Sequence, residues 1–304
     1  MLDAGLNAGA DTGLRVALTT PRILIREVLA GLVVGLALIP EAISFSIIAG
    51  VDPKVGLFSA FIMAVTIAFV GGRPAMISAA TGAVALVVAP IAREYGMDYL
   101  IATVLLAGVF QIVLAVLGVA KLMRFIPRSV MVGFVNSLAI LIFSAQIPEL
   151  IDVPWLVYPL VALGIVLLVS FPKVTKAIPA PLVSIVVVTV LVVVCSFSVP
   201  TVGDKGELPR SLPELFIPQV PWTVETLQII APVAIAMALV GLMESLMTAK
   251  LVDEITDTHS NKTRESFGQG VANIASGLFG GMGGCAMIGQ TMILSLIHIS
   301  EPTR

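Results

Sequence analysis

Ten long apolar runs follow one another along the chain, separated by short joints that are charged or rich in proline and glycine. A helix needs about 20 mostly apolar residues to cross the hydrocarbon core of a bilayer. Since 58% of the residues are hydrophobic and only 12% charged, we predict an all-α polytopic membrane protein. The predicted segments are 23–50 with a break at Pro40, 55–70, 71–90, 100–119, 130–147, 155–171, 182–199, 227–252, 266–279 and a tenth reaching residue 293.

The third and tenth runs are interrupted by glycines. Gly71 and Gly72 stop a helix, and the chain is then expected to run extended until a short helix begins near Thr81. Gly280 stands ten residues before Gln290, as Gly71 stands ten residues before Thr81. Two interrupted hydrophobic segments in corresponding positions point to the binding site of a transporter. The alternative is a pair of ordinary kinked helices rich in small residues.

The basic residues predict the topology. If the amino terminus is cytoplasmic, the inner joints hold twelve of them and the outer joints four: Lys54, Arg93, Lys205 and Arg210. Seven crossings then separate the two interrupted runs, so they enter the membrane from opposite faces, as in an inverted repeat. The amino-terminal ends of two half-helices would meet near the midplane, where their unpaired N–H groups and partial positive charge favour an anion.

Glu244 is the sharpest polar signal within an apolar run. Helical spacing places Thr248 on the same face, and an acid inside the membrane is expected to face a cavity, carrying a proton or binding a coupling cation. The alternative is a carboxylate near the cytoplasmic interface, paired with Lys250. Glu41, which follows Pro40, either lines the same cavity or caps the second half of a kinked helix.

The other polar groups give no indication of a metal, a cofactor or a nucleic-acid site. The acidic run Asp253, Glu254 and Asp257 with His259 is expected to be a solvated face rather than a metal site. The two cysteines lie in apolar runs and the two histidines do not cluster, so no metal or cofactor is expected. The net charge of -2 gives no indication of nucleic-acid binding.

Four stretches in order, residues 26–61, 71–85, 241–258 and 268–293, resemble the SulP family of inorganic anion transporters. The resemblance implies two inverted seven-helix repeats (7+7) with two half-helices, divided into core and gate domains. It also implies a homodimer, usually with a cytoplasmic STAS domain after the membrane domain. Residues 23–293 would be the transport domain, truncated after the start of the tenth helix.

The resemblance also assigns site residues by motif. It places substrate-binding positions in the first, third and tenth helices and ion coupling in the eighth. The substrate-binding residues are Glu41, Phe45, Ala80, Thr81, Gly82, Ala83, Met287, Ile288 and Gly289, and the ion-coupling residues are Glu244 and Thr248. Some animal relatives have a serine and an arginine where this chain has Ile288 and Gly289. Attraction for an anion would therefore depend on the helix ends.

The predicted function is secondary active transport of a small inorganic oxyanion, sulfate first, coupled to protons, across a bacterial cytoplasmic (inner) membrane. The expected partners are the anion, a coupling proton or sodium ion, the lipid bilayer and a second copy of the chain. The chain is not expected to be an enzyme. One alternative is a sodium-dependent bicarbonate transporter; a nucleobase permease and a non-transporting membrane protein are the others.

Residues 1–22 and 294–304 lie outside the predicted transport domain. Residues 1–22 are expected to be a cytoplasmic amino terminus. Residues 294–304, LSLIHISEPTR, match the translation of a sequencing-library adapter and are expected to be an artefact, with the natural protein continuing beyond residue 293.

Overall fold

The computed structural model describes residues 21–121, 128–174 and 180–299. Within them the protein is mostly helical, as predicted, and each predicted segment corresponds to one helix. The elements are α1 Pro21–Ala49, α2 Pro53–Val70, β1 Ser78–Ala79, α3 Gly82–Tyr95, α4 Met97–Val116, α5 Arg128–Gln146, α6 Val157–Val174, α7 Ala180–Val194, α8 Val224–Thr256, α9 Lys262–Leu278, β2 Cys285–Ala286 and α10 Ile288–Ile299. In the described part of the chain, α1, α2, α4, α5 and α8 are long and apolar enough to cross a membrane.

Local sequence accounts for several helix ends. Pro53 opens α2 at a position where its missing N–H is not needed. Gly96, with φ +83°, makes the sharp turn between α3 and α4, a conformation that glycine adopts without strain. Asn261 caps α9, because its side chain accepts a hydrogen bond from the Arg264 N–H at 2.9 Å.

The predicted break at Pro40 is wrong. Helix α1 continues through this residue from Pro21 to Ala49. Proline removes one N–H from the helical ladder, but membrane helices tolerate it because nearby groups satisfy the freed carbonyl. Helix α8 likewise continues through Pro232.

Helix α10 continues to Ile299 and so includes residues 294–299 of the segment expected to be an adapter. No break in structure therefore marks the boundary predicted after residue 293. The artefactual origin of residues 294–304 stays a prediction.

Helices α1–α4 and α8–α10 pack into one body, and within the described residues α4 and α9 share the most extensive contact. A Cβ added to Gly270 would lie 2.7 Å from the Gly108 carbonyl oxygen, so the two helices touch through their backbones. This enclosure explains why α9 can carry many polar residues: its Ser266, Gln269 and Asn273 are buried against protein.

Helices α5–α7 lie at the side of this body and present apolar side chains outward. Phe143 is 71% exposed and Val194 is 75% exposed. Apolar faces of this kind are expected in a membrane protein, where they contact lipid or further protein rather than water.

Ion pairs connect joints that the distribution of basic residues predicts on the same side of the membrane. Lys54 lies 2.7 Å from Glu207, and Lys205 lies 2.5 Å from Glu149; all four belong to the predicted outer joints. Arg73 pairs at 3.0 Å with Asp253, and both belong to the inner joints. The grouping of the joints therefore agrees with the crossing count, while the side that faces the cytoplasm stays a prediction.

Candidate functional site

The two interrupted segments meet as a short antiparallel sheet. Ser78 is opposite Ala286 and Ala79 is opposite Cys285, and the Met287 N–H donates to the Ile77 carbonyl at 2.8 Å. Each strand leads directly into a short helix, β1 into α3 and β2 into α10. The extended stretch and the short helix predicted for each segment are confirmed.

Gly284 permits this meeting. A Cβ at this position would lie 1.9 Å from the Ala79 carbonyl oxygen, far inside van der Waals contact. The neighbouring Gly283 has φ +71°, a conformation unfavourable for any residue with a Cβ. The glycine pair therefore sets how closely the two segments approach.

Thr81 caps α3 with both of its oxygens. The side-chain Oγ1 accepts from the Val84 N–H at 3.5 Å, and the carbonyl accepts from the Ala85 N–H at 2.9 Å. The N–H groups of Gly82 and Ala83 precede the first helical hydrogen bond and have no acceptor within α3. They give this end of the helix its partial positive charge.

The start of α10 is similar. The Thr291 N–H donates to the Met287 carbonyl at 3.1 Å, the first hydrogen bond of the helix. The N–H groups of Ile288, Gly289 and Gln290 therefore lack an acceptor within α10. Two helix amino termini, from opposite ends of the sequence, reach the same place.

A cavity of about 170 Å³ lies between these ends. It is lined by residues from α1, α3 with its cap, α5, α8 and the start of α10: Phe45, Thr81, Gly82, Ala83, Leu138, Ile142, Glu244, Met287, Ile288 and Gly289. No basic side chain stands among these lining residues of the described chain. The helix ends supply the positive potential, and Glu244 supplies the one acidic group.

Glu244 is held by a thiol. The Cys285 Sγ donates to its Oε2 at 2.8 Å, and the Thr81 Oγ1 lies 3.0 Å from the same sulfur. Next to it on α8, the Ser245 hydroxyl accepts from the Ala286 N–H at 3.0 Å, which fixes α8 against β2. Glu244 is thus bonded to Cys285 rather than paired with Lys250.

Three residues of the predicted site surround the cavity without lining it. Glu41 accepts from the Gln290 side-chain amide at 2.7 Å and so joins α1 to α10. Ala80 is fully buried in the apolar core. The Thr248 hydroxyl, also buried, donates to the Glu244 backbone carbonyl at 2.8 Å.

The sequence interpretation missed a polar stripe on α9. Its four members are at most 1% exposed: Glu265, Gln269, Asn273 and Ser276. Their spacing of four, four and three residues is the signal that was available, since it puts them on one face of a helix. We call this set the α9 stripe.

One half of the α9 stripe holds the first interrupted segment. The Glu265 Oε2 accepts from the Gly72 N–H at 2.8 Å, at the point where α2 has ended. The Gln269 Nε2 donates to the Ser78 hydroxyl at 2.5 Å and to the Glu265 Oε1 at 2.8 Å. These hydrogen bonds satisfy backbone and side-chain groups that no regular element satisfies.

The other half holds the second segment. The Asn273 Oδ1 accepts from the Gly284 N–H at 2.9 Å, and its Nδ2 donates to the Gly284 carbonyl at 3.1 Å. The Ser276 hydroxyl accepts from the Gly283 N–H at 3.3 Å. One rigid helix thus fixes both segments and, with them, the distance between the two helix ends.

Asp253 corrects the expectation of a solvated acidic face. Its side chain is 11% exposed and pairs with Arg73 at 3.0 Å and with Lys262 at 2.7 Å. Arg73 lies in the joint that precedes β1, so the pair ties the first segment to the end of α8. The other members of the run are exposed, as predicted: Glu254, Asp257 and His259.

Replacing Glu265 by alanine is expected to destabilise the fold by about 1–3 kcal/mol, because the Gly72 N–H and the Gln269 amide lose a buried acceptor. A fall in the melting temperature of the detergent-solubilised protein measures this. Glu254→Ala, at an exposed carboxylate of the neighbouring joint, is the matched control and is expected to change stability by less than about 0.5 kcal/mol. Equal melting temperatures for the two variants would contradict the role given to the α9 stripe.

The sequence model of the Sulfate permease family matches residues 24–157 and 152–296. The chain belongs to this family. It is 55% identical over 268 residues to the putative sulfate transporter YbaR of Bacillus subtilis, a match covering 88% of this chain and 56% of that protein. It is 28% identical over 303 residues to the bicarbonate transporter BicA of Picosynechococcus, covering 88% and 52%.

Among solved structures, the fold is similar to the transmembrane domain of a cyanobacterial bicarbonate transporter, BicA, with a TM-score of 0.80 and 23% identity. That match covers 91% of this chain and 78% of the solved one. The family expected from the four sequence stretches is confirmed, as is a multi-pass membrane protein. The chain spans about half the length of YbaR and of the Picosynechococcus BicA.

Proposed function

We propose that the full-length protein is a secondary active transporter of a small inorganic oxyanion, sulfate first, driven by protons through Glu244. The observation that carries the proposal is the convergence of two helix amino termini on one cavity, whose lining, among the described residues, has no basic side chain. Backbone N–H groups at helix ends are suited to oxyanions, which accept several hydrogen bonds at once. The relative YbaR, named a putative sulfate transporter, supports sulfate as the first candidate.

Glu244 supports coupling to a cation. At about 4 Å and an effective dielectric constant of about 20, a carboxylate and a single negative charge repel each other by about 4 kcal/mol. Protonation of Glu244 removes this repulsion, so the anion and the proton would bind together. A sodium ion between the carboxylate and the anion would do the same, and the relatives named as bicarbonate transporters keep that alternative open.

The lining disfavours larger substrates. Recognition of a nucleobase requires polar side chains placed against its heteroatoms. The start of α10 presents Met287 and Ile288 instead, and α5 presents Leu138 and Ile142. A small ion that bonds to backbone groups fits this lining better.

Uptake into proteoliposomes containing the natural full-length protein tests the proposal. With a proton gradient directed inward, labelled sulfate is expected to accumulate, and omission of sodium is expected to have no effect. Accumulation of labelled bicarbonate that requires sodium would replace the proposal with its alternative. Competition of the uptake by uracil would instead indicate a nucleobase permease.

The wider architecture belongs to the same proposal. Two inverted seven-helix repeats are supported by the antiparallel pairing of β1 with β2. An amino terminus in the cytoplasm of a bacterial cell and a homodimer are part of the proposal as what the family resemblance implies. Sequencing the natural gene past the codon for residue 293 tests whether the remaining helices of the second repeat follow. Mass measurement of the solubilised protein tests the dimer.

A further inference from the structure

A chain of hydrogen-bonding groups joins two sides of the cavity. It runs from the Glu244 carboxylate on α8 through the Cys285 thiol on β2 to the Thr81 hydroxyl that caps α3, with distances of 2.8 and 3.0 Å. Glu244 and Thr81 both line the cavity, whereas Cys285 is fully buried behind it. The thiol is therefore the link between the two lining groups along this path.

The hydrogen bonds between Glu244, Cys285 and Thr81 can be ordered from donor to acceptor in either of two directions. A thiol and a hydroxyl carry one proton each, and an ionised carboxylate can only accept. When Glu244 is ionised, the Cys285 thiol must donate to it, and the sulfur then accepts from Thr81. The single hydroxyl proton of Thr81 is thereby directed away from the cavity, while its oxygen still accepts from the Val84 N–H.

Protonation of Glu244 reverses this order. The new O–H of Glu244 donates to the Cys285 sulfur, and the thiol donates to the Thr81 Oγ1. The Thr81 hydroxyl keeps its proton but no longer donates it to the sulfur, so it can donate into the cavity. No S–H or O–H bond breaks in this exchange, because only hydrogen bonds change partners. The one proton gained is the one that Glu244 takes up from the cavity. The cavity loses a negative charge at one wall and gains a hydrogen-bond donor at the other.

We propose that Cys285 is a positioning residue that transmits the protonation of Glu244 to Thr81, so that the anion site gains a donor when the proton binds. This inference rests on the proposed proton-coupled function and adds its internal link. It predicts that binding of the proton and binding of the anion strengthen each other by more than the removal of charge repulsion alone. The reason is that the new hydrogen bond has a charged acceptor, and such a bond contributes more than one between neutral groups.

Among the residues that the structure describes, the other groups around Glu244 offer no competing path. The remaining lining residues do not titrate: Phe45, Thr81, Gly82, Ala83, Leu138, Ile142, Met287, Ile288 and Gly289. From α4, the neutral Gln111 approaches α8 at Gly241. The carboxylates of Glu41 on α1 and Glu265 on α9 are bonded elsewhere, to Gln290 and to the Gly72 N–H.

The test compares Cys285→Ala with Cys285→Ser in the full-length protein, measuring the KM for labelled sulfate at acid and at neutral pH. Serine keeps one donor and one acceptor and is expected to retain the pH dependence of the wild type. Alanine removes the hydrogen-bond link between Glu244 and Thr81. It is expected to raise the KM at acid pH about tenfold, so that the KM depends less on pH. Cys195→Ala, at the exposed cysteine, is expected to match the wild type.

The outcomes separate the two proposals. If the wild type shows no pH dependence of KM, the proton-coupled function fails and the link fails with it. If the wild type is pH-dependent and Cys285→Ala keeps the same dependence, the function stands and the link is overturned. Thr81→Val against Thr81→Ser repeats the comparison at the other end of the chain and decides the question if Cys285→Ala does not fold.

Discussion

Under the proposed function, replacing Glu244 by glutamine in the full-length protein is expected to abolish proton-driven accumulation of the anion while sparing anion exchange. Glutamine has the size of glutamate, and its amide oxygen can accept from the Cys285 thiol as Oε2 does now. It cannot take up a proton, so the anion site stays in one charge state at every pH. Accumulated sulfate should fall to the level of passive equilibrium, measured in proteoliposomes under an inward proton gradient.

Glu225→Gln is the matched control for this substitution. Glu225 lies in the first turn of the same helix and is exposed, so its loss is expected to leave accumulation unchanged. Counterflow of labelled against unlabelled sulfate measures exchange in the same vesicles. Uphill accumulation by Glu244→Gln equal to that of the wild type would show that the coupling proton is carried elsewhere.

Replacing Gly284 by alanine is expected to remove folded, transport-competent protein. The added Cβ would lie 1.9 Å from the Ala79 carbonyl oxygen and 2.6 Å from its carbonyl carbon, and neither atom belongs to a flexible side chain. Strands β1 and β2 must separate to make room, which displaces the helix ends that follow them. Overpacking of this kind costs about 3 kcal/mol or more, and size-exclusion chromatography with thermal melting measures it.

Gly31→Ala is the control for Gly284→Ala, because a Cβ at Gly31 would meet no atom within 4 Å. Within helix α1 this change is expected to be neutral or stabilising by up to about 1 kcal/mol, since alanine favours a helix over glycine. A Gly284→Ala protein that melts at the wild-type temperature and transports at the wild-type rate would contradict the close approach of the two strands.

Much of the site was predictable because its signals are local. Glycine and proline stop a helix wherever they cluster, so the extended stretches before α3 and α10 could be read from residues 71–74 and 280–284. A carboxylate in an apolar run is conspicuous because placing it in a membrane costs free energy, and this identified Glu244. The family resemblance added Phe45 and the residues that begin the two short helices, and these line the cavity.

The remainder depends on contacts between distant parts of the sequence. Leu138 and Ile142 lie in an apolar helix, where no pattern tells which residues face a cavity and which face lipid. Cys285 lies in an apolar run, and nothing near it in the sequence indicates that its thiol donates to Glu244, 41 residues away. The Gly72 N–H has its acceptor 193 residues later, at Glu265. Pairings of this length leave no mark in a single sequence.

Helix α5 forms a wall of the cavity that offers only apolar side chains among the described residues. Its contribution is apolar, through Leu138 and Ile142, and the hydroxyls of Ser137 and Ser144 donate to carbonyls of their own helix. Van der Waals contacts have no preferred direction, so two surfaces joined by them can slide with little energetic penalty. The α9 stripe, in contrast, fixes the two segments that lead into α3 and α10. We therefore expect α5 to slide relative to α3, α10 and the two segments that the α9 stripe fixes. An ion bound at the two helix ends would move with them, and its hydrogen bonds to their N–H groups would stay intact.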